Sequence, residues 1–206
     1  MNIHSSKLVP ALGLLGSDWR IGLGAVVALA AAAGLVSAWF TPRGPVTAAE
    51  ALATMAAALI LGALAGLIMG SRWSMLLAPV AYWAAFELGR LGVSGPTVDA
   101  VHLGSTYGII AFILGRVVHG LLAIAPMAVG AVYGVSLATG LGRGGTAPMG
   151  IAGWVLTGLF TLGLLALAVA IAQPARIAPI LGPDGAPPGS VAELVTVRIG
   201  GHDQVL

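Results

Sequence analysis

Ionisable side chains in a stretch of apolar sequence are the first places to look for chemistry, because burying a charge is costly and needs a reason. Glu87 and Arg90 are one such pair, three residues apart on one helical face. Asp99 and Arg116 lie further along, and the four together form a candidate intramembrane polar cluster. Such a cluster could line a shared polar cavity of the kind a small transporter- or channel-like module would use. The structural alternative is simpler: Arg90 reaches toward the headgroups and neutralises Glu87 near a helix end. His102 and His119 stand seventeen residues apart with no carboxylate at metal-ligand spacing, so they read as polar residues at helix ends. His4 and His202 complete no HxxxH or HExxH pattern. No metal site and no cofactor site is read from the chain.

Two near-motifs fail on context. Gly134-Val135-Ser136-Leu137-Ala138 approaches the G-x-S-x-G nucleophile elbow, but that elbow needs a strand-to-helix turn and Ser136 sits among apolar residues. Gly142-Arg143-Gly144-Gly145-Thr146 lacks the lysine and the preceding strand of a phosphate loop. No complete catalytic constellation is present. A different kind of spacing is better supported. Gly62, Gly66 and Gly70 form two overlapping GxxxG steps, and Gly130 with Gly134 makes another. Small residues four apart let helix backbones approach closely, so the first set reads as a helix-packing face. Its partner is another span or a second copy of the chain.

The elements that hold these residues follow from composition. The chain has 206 residues, of which 58% are hydrophobic and 8% charged, with mean hydropathy +1.01. Soluble domains are about one quarter charged, so this is expected to be an integral membrane protein whose principal partner is the lipid bilayer. Net charge is +2, and eight of the nine basic residues are scattered arginines, which leaves no nucleic-acid footprint. With no cysteine, disulfides and thiolate metal sites are excluded.

The expected fold class is an all-α polytopic bundle: about five transmembrane helices, one interfacial or re-entrant helix, a Pro/Gly linker and a first β-hairpin. After a leader over 1–20, apolar stretches at 21–40, 51–71, 73–92, 117–140 and 149–172 each approach the twenty residues that span a bilayer. A cleaved signal peptide ending near Val36-Ser37-Ala38 competes for the first of them. Thr47 and Glu50 form a capping box that opens the second. The region 98–116 has only ten apolar positions before Arg116, which suits an interfacial or re-entrant helix. Pro126 is expected to kink the span that follows.

From Gln173 the composition changes. Prolines and glycines make 173–190 an extended connector. Val195, Val197 and Ile199 then alternate with polar residues, and Gly200-Gly201 signals a two-residue turn into a return strand. An isolated hairpin is marginal in water, so 191–206 reads as the start of a soluble domain that continues past Leu206. Lys7, Arg20, Arg72 and Arg143 on one side balance Arg43, Arg90, Arg116 and Arg176 on the other, so the positive-inside rule does not orient the bundle.

The segment PDGAPPGSVAELVTVRIGGHDQVL resembles the entry into bacterial α/β-hydrolases of the proline iminopeptidase-like group. The matching positions are Ser190-Val191-Ala192-Glu193-Leu194 and Arg198 to Gln204. DWRIGLGA, TPRGPVT, SRWSMLLAPV and FELGRLGVSGPTVD are similar to the multi-span anchor ahead of such hydrolases in actinobacteria. The resemblance implies a plasma-membrane anchor for an extracytoplasmic serine hydrolase or peptidase, with the oxyanion loop, serine elbow, acid and histidine all beyond Leu206. Catalytic residues are therefore expected nowhere in this segment. The alternatives are a small transporter- or channel-like protein and a membrane partner subunit.

Overall fold

The computed structural model describes residues 19–41, 46–91, 103–143, 149–174, 196–199 and 202–205. It is mostly helical. The elements are α1 (Trp19–Phe40), α2 (Ala48–Met69), α3 (Ser74–Gly89), α4 (Thr106–His119), a π-helical turn (Gly120–Ile124), α5 (Ala125–Gly140), α6 (Ile151–Ala172), β1 (Thr196–Ile199) and β2 (His202–Val205). Four helical runs are long and apolar enough to cross a membrane: α1, α2, the continuous run Thr106–Gly140, and α6. With 16 residues, α3 is about 24 Å long, shorter than the ~30 Å hydrocarbon core. The two strands pair antiparallel, with Thr196 opposite Val205 and Ile199 opposite His202.

Local chemistry sets the helix ends. At the start of α2 the Glu50 amide donates to Thr47 Oγ1 at 3.2 Å, and the Thr47 amide donates to Glu50 Oε2 at 2.8 Å. Each residue thus satisfies an amide that the first helical turn leaves orphaned. Gly70 ends α2 in the left-handed conformation at φ 58°. Gly142 does the same after α5 at φ 72°. There the Arg143 amide bonds back to the Ala138 carbonyl and the Gly142 amide to the Thr139 carbonyl, completing a Schellman motif. Ser105 caps α4 by accepting from the Gly108 amide at 3.1 Å.

The sequence separates an interfacial helix over 98–116 from a span over 117–140. The structure joins their described parts into one run, Thr106–Gly140. The disturbance from Pro126 appears as the π turn, where the Ala125 amide bonds to the Gly120 carbonyl, five residues back. A proline ring clashes with the carbonyl four residues before it and offers no N–H. Widening the preceding turn accommodates both problems without breaking the helix.

Packing follows the small residues. A Cβ on Gly62 or Gly66 would run into the Met127 or Ala131 carbonyl of α5, and one on Gly130 or Gly134 into the Leu59 or Ala63 carbonyl of α2. The register advances in the same direction on both helices, so α2 and α5 run parallel with their backbones in contact. The GxxxG partner is thus a span of the same chain. Gly70 is the exception, since it caps its helix. In the same way α1 lies along α3, with Gly34 against the Tyr82 carbonyl and Gly89 against Ala38. Val26, Ala30, Ala65, Ala78, Ala123 and Met127 form the closed centre. By contrast α6 buries only Thr157. Its large apolar residues, among them Trp154, Leu156 and Phe160, stay exposed, a surface suited to lipid rather than water.

Candidate functional site at one end of the bundle

The polar residues converge where the last turns of α3 meet α4. On α3, Trp83 and Glu87 are four apart and share a face; on α4, Phe112 and Arg116 do the same. Facing each other, the four form one unit. Arg116 Nη2 donates to Glu87 Oε2 at 2.9 Å and Nε donates to Oε1 at 3.1 Å, a two-point fork. Trp83 Nε1 also donates to Oε1, at 3.1 Å. The guanidinium carbon lies 3.9 Å from the Phe112 ring centroid, so the cation is covered by an aromatic face. Arg116 is 16% exposed and Glu87 34%. Arg116 Nη1 is buried and finds no hydrogen-bond partner among the described residues.

A second layer ties this unit to α1. The rings of Tyr82, Phe86 and His119 stack: Phe86 and His119 are 4.0 Å apart at 17°, and Tyr82 and His119 are 5.8 Å apart at 9°. The Tyr82 hydroxyl donates to Ser37 Oγ at 2.7 Å. Tyr82 and Phe86 are themselves one turn apart on α3, so three helices are joined through one aromatic column. Arg90, buried at the C-cap of α3, places its guanidinium 5.4 Å from the Phe86 ring centroid.

Of the four residues singled out in sequence, the described structure shows one pairing. Glu87 and Arg116 come together. Among the described residues the ion pair of Glu87 is made with Arg116, 29 positions away, and the local Glu87–Arg90 pairing expected from spacing is not the one formed. Asp99 and His102 lie outside the described residues. Trp83, Phe112, Tyr82 and Ser37 were not anticipated. The i,i+4 spacing of Trp83 with Glu87 and of Phe112 with Arg116 was available as a signal, but nothing local told that the two pairs would face each other.

What this arrangement can do is limited by its composition. A forked carboxylate–guanidinium pair is charge-neutral as a unit and can sit at a membrane boundary at modest cost. It crosslinks α3 to α4 and fixes Arg116 in a run of apolar helix. Among the described residues no group of three His, Cys, Asp or Glu side chains could hold a metal. Open grooves adjoin this end among the described residues. One of 650 Å³ lies beside the Glu87–Arg116 pair and includes Ile113, Val117 and Gly120 in its wall. The others, of 620 and 210 Å³, lie along α1 and α2. Comparison with known protein families, curated proteins and solved structures finds no match.

Proposed function

We propose that residues 19–172 are a five-crossing membrane anchor that presents the segment after Gln173 on the face opposite the N-terminus. The crossings are α1, α2, α3, the run Thr106–Gly140, and α6. In this reading α3 is the short crossing, completed at its ends by Arg72-Trp73 and Arg90 as interfacial residues. The segment from Val191 opens an α/β-hydrolase-type domain, as its resemblance implies. The membrane is a bacterial plasma membrane and the domain is extracytoplasmic.

The closed centre of the bundle supports an anchor over a transporter. Val26, Ala30 and Met127 are essentially inaccessible and α2 meets α5 backbone to backbone. The described charged side chains between residues 19 and 172 sit near helix ends or, like Arg116 and His119, level with the end of α3 through their contacts with Glu87 and Phe86. Transport sites are built at the midplane from broken helices and polar groups. Among the described residues the π-helical stretch Gly120–Ile124 is made of apolar residues, with Leu122 and Ala123 buried.

A serine-reactive fluorophosphonate probe applied to native membranes tests the hydrolase part. Covalent labelling of the native protein, abolished by prior heating, is the expected result. A protein that resists alkaline extraction yet takes no label contradicts it.

A further inference from the structure

The open grooves along α1 and α2 are not lined by the Glu87–Arg116 pair, and side by side they offer an apolar run and a polar end, as an amphiphile needs. The larger, 620 Å³, runs between the two helices, its walls including Ala33, Val36, Ala57, Ile60, Leu61 and Leu64. Small side chains on both helices leave the space. Because α1 and α2 are each long and apolar enough to cross a membrane, the open side of this groove faces acyl chains. Its polar features are confined to Ser37, Thr54 and Tyr82. The smaller cavity, 210 Å³, shares Ser37, Phe40, Ala53 and Thr54 with the groove and adds Thr41, Glu50 and His119. The two lie side by side across these shared walls, apolar along the groove and polar at the end of the smaller one.

Counting protons gives the polar end its preference. Thr41 Oγ1 spends its hydrogen on the Ser37 carbonyl at 2.6 Å, and Thr54 Oγ1 spends its own on the Glu50 carbonyl at 2.8 Å. Both hydroxyls therefore have only lone pairs left to offer. Glu50 takes its bonds from the Thr47 amide and hydroxyl, each at 2.8 Å, on Oε2 alone. Its Oε1 accepts from no donor among the described residues. Ser37 Oγ, which accepts from the Tyr82 hydroxyl, keeps its own hydrogen to give, and His119 closes the inner wall. At the outer mouth Thr41, Thr54 and the exposed Glu50 carboxylate offer lone pairs and a negative charge, which favours a cationic donor there.

We propose that this space holds an aminophospholipid, with one acyl chain along the α1–α2 groove and the ammonium group beside Glu50, Thr41 and Thr54. The proposal rests on α1 and α2 crossing the bilayer. The ammonium supplies three donors and a positive charge to groups that lack both, and the chain replaces bulk lipid in a groove that small residues have shaped.

The full chain in nanodiscs of equal phosphatidylethanolamine and phosphatidylglycerol tests this, with retained lipid counted by mass spectrometry after gentle delipidation. The expected result is enrichment of phosphatidylethanolamine by about two- to threefold, the scale of one solvent-exposed ion pair. Glu50→Gln removes the charge but keeps the capping box, since glutamine serves at that position. It should bring the two lipids to parity with helicity unchanged. Ala57→Leu should lower retention of both, and Ala33→Leu repeats that test from the opposite wall if the first variant does not fold. Equal retention by the unaltered chain, or an unchanged ratio in Glu50→Gln, overturns the proposal. A chain that alkaline carbonate releases from membranes overturns the membrane reading itself, a failure distinct from loss of lipid preference.

Discussion

The crossing of α2 with α5 and the attachment of α6 use similarly apolar helices in opposite ways. At the first, four glycines bring two backbones together and leave no room for a single added carbon. At the second, α6 buries one residue, and Leu164, Leu167, Ala168 and Ile171 lean on a small cluster of Ala51, Met55 and Leu122. Gly158 and Gly163 of α6 have nothing near the position of a Cβ. In lipid the hydrophobic effect does not drive helices together, so apolarity places a helix in the membrane while close approach of small residues chooses its neighbour. The same residue type therefore carries packing in one region and none in the other.

Substituting glycines is the most direct way to break this comparison. Gly66→Leu or Gly130→Leu should cost about 3 kcal/mol or abolish folding, because the side chain would meet backbone that cannot yield. Gly163→Leu should stay within about 0.5 kcal/mol of the parent. Thermal unfolding in detergent, followed by circular dichroism, measures both. Equal losses would mean that α6 is packed as tightly as α2.

The next effect in size belongs to the polar end. Arg116→Ala leaves the Glu87 carboxylate without its fork, and about 1–3 kcal/mol should be lost, scaled down from a fully buried pair by the exposure of Glu87. Arg116→Lys should recover only part, since an ammonium cannot form the two-point bond. A double-mutant cycle with Glu87→Gln should give a coupling energy well above zero, whereas the corresponding cycle between Glu87 and Arg90 should give a smaller one.

The smallest effects distinguish two hydroxyl links. Tyr82 joins α3 to Ser37 of α1 in the core, and Tyr133 joins α5 to Thr161 of α6 at 2.8 Å on the exposed side. Tyr82→Phe should cost about 1 kcal/mol. Tyr133→Phe should cost about 0.6 kcal/mol or less, the mean for hydrogen bonds between membrane helices.

What could be read in the sequence was what is local. The capping box at Thr47 and Glu50, the apolar stretches, the disturbance at Pro126 and the GxxxG steps at Gly62 and Gly130 all depend on residues within a turn or two of one another. The Glu87–Arg90 pairing was inferred from the same kind of proximity and gave way to a partner on another helix. For the same reason Arg116 looked like the end of a short interfacial helix. With Glu87 and Phe112 covering its charge, nothing requires the helix to stop there, and it continues into α5. Gly70 shows the converse: its spacing matched a packing face, yet its left-handed backbone ends the helix. Whether a glycine packs or caps depends on where the helix stops, and the next residues, Ser71-Arg72-Trp73, begin a turn.

The anchor account is tested most directly by side-specific labelling of single cysteines in sealed native vesicles, introduced into residues 1–206, which hold none of their own. Ser71→Cys and Leu141→Cys should react from one side of the membrane. Val46→Cys, Leu103→Cys and Ser190→Cys should react from the other, as five crossings require. Leu103→Cys reacting on the same side as Leu141→Cys would mean that Thr106–Gly140 does not cross, and Ser190→Cys on the side of Ser71→Cys would contradict the odd number of crossings.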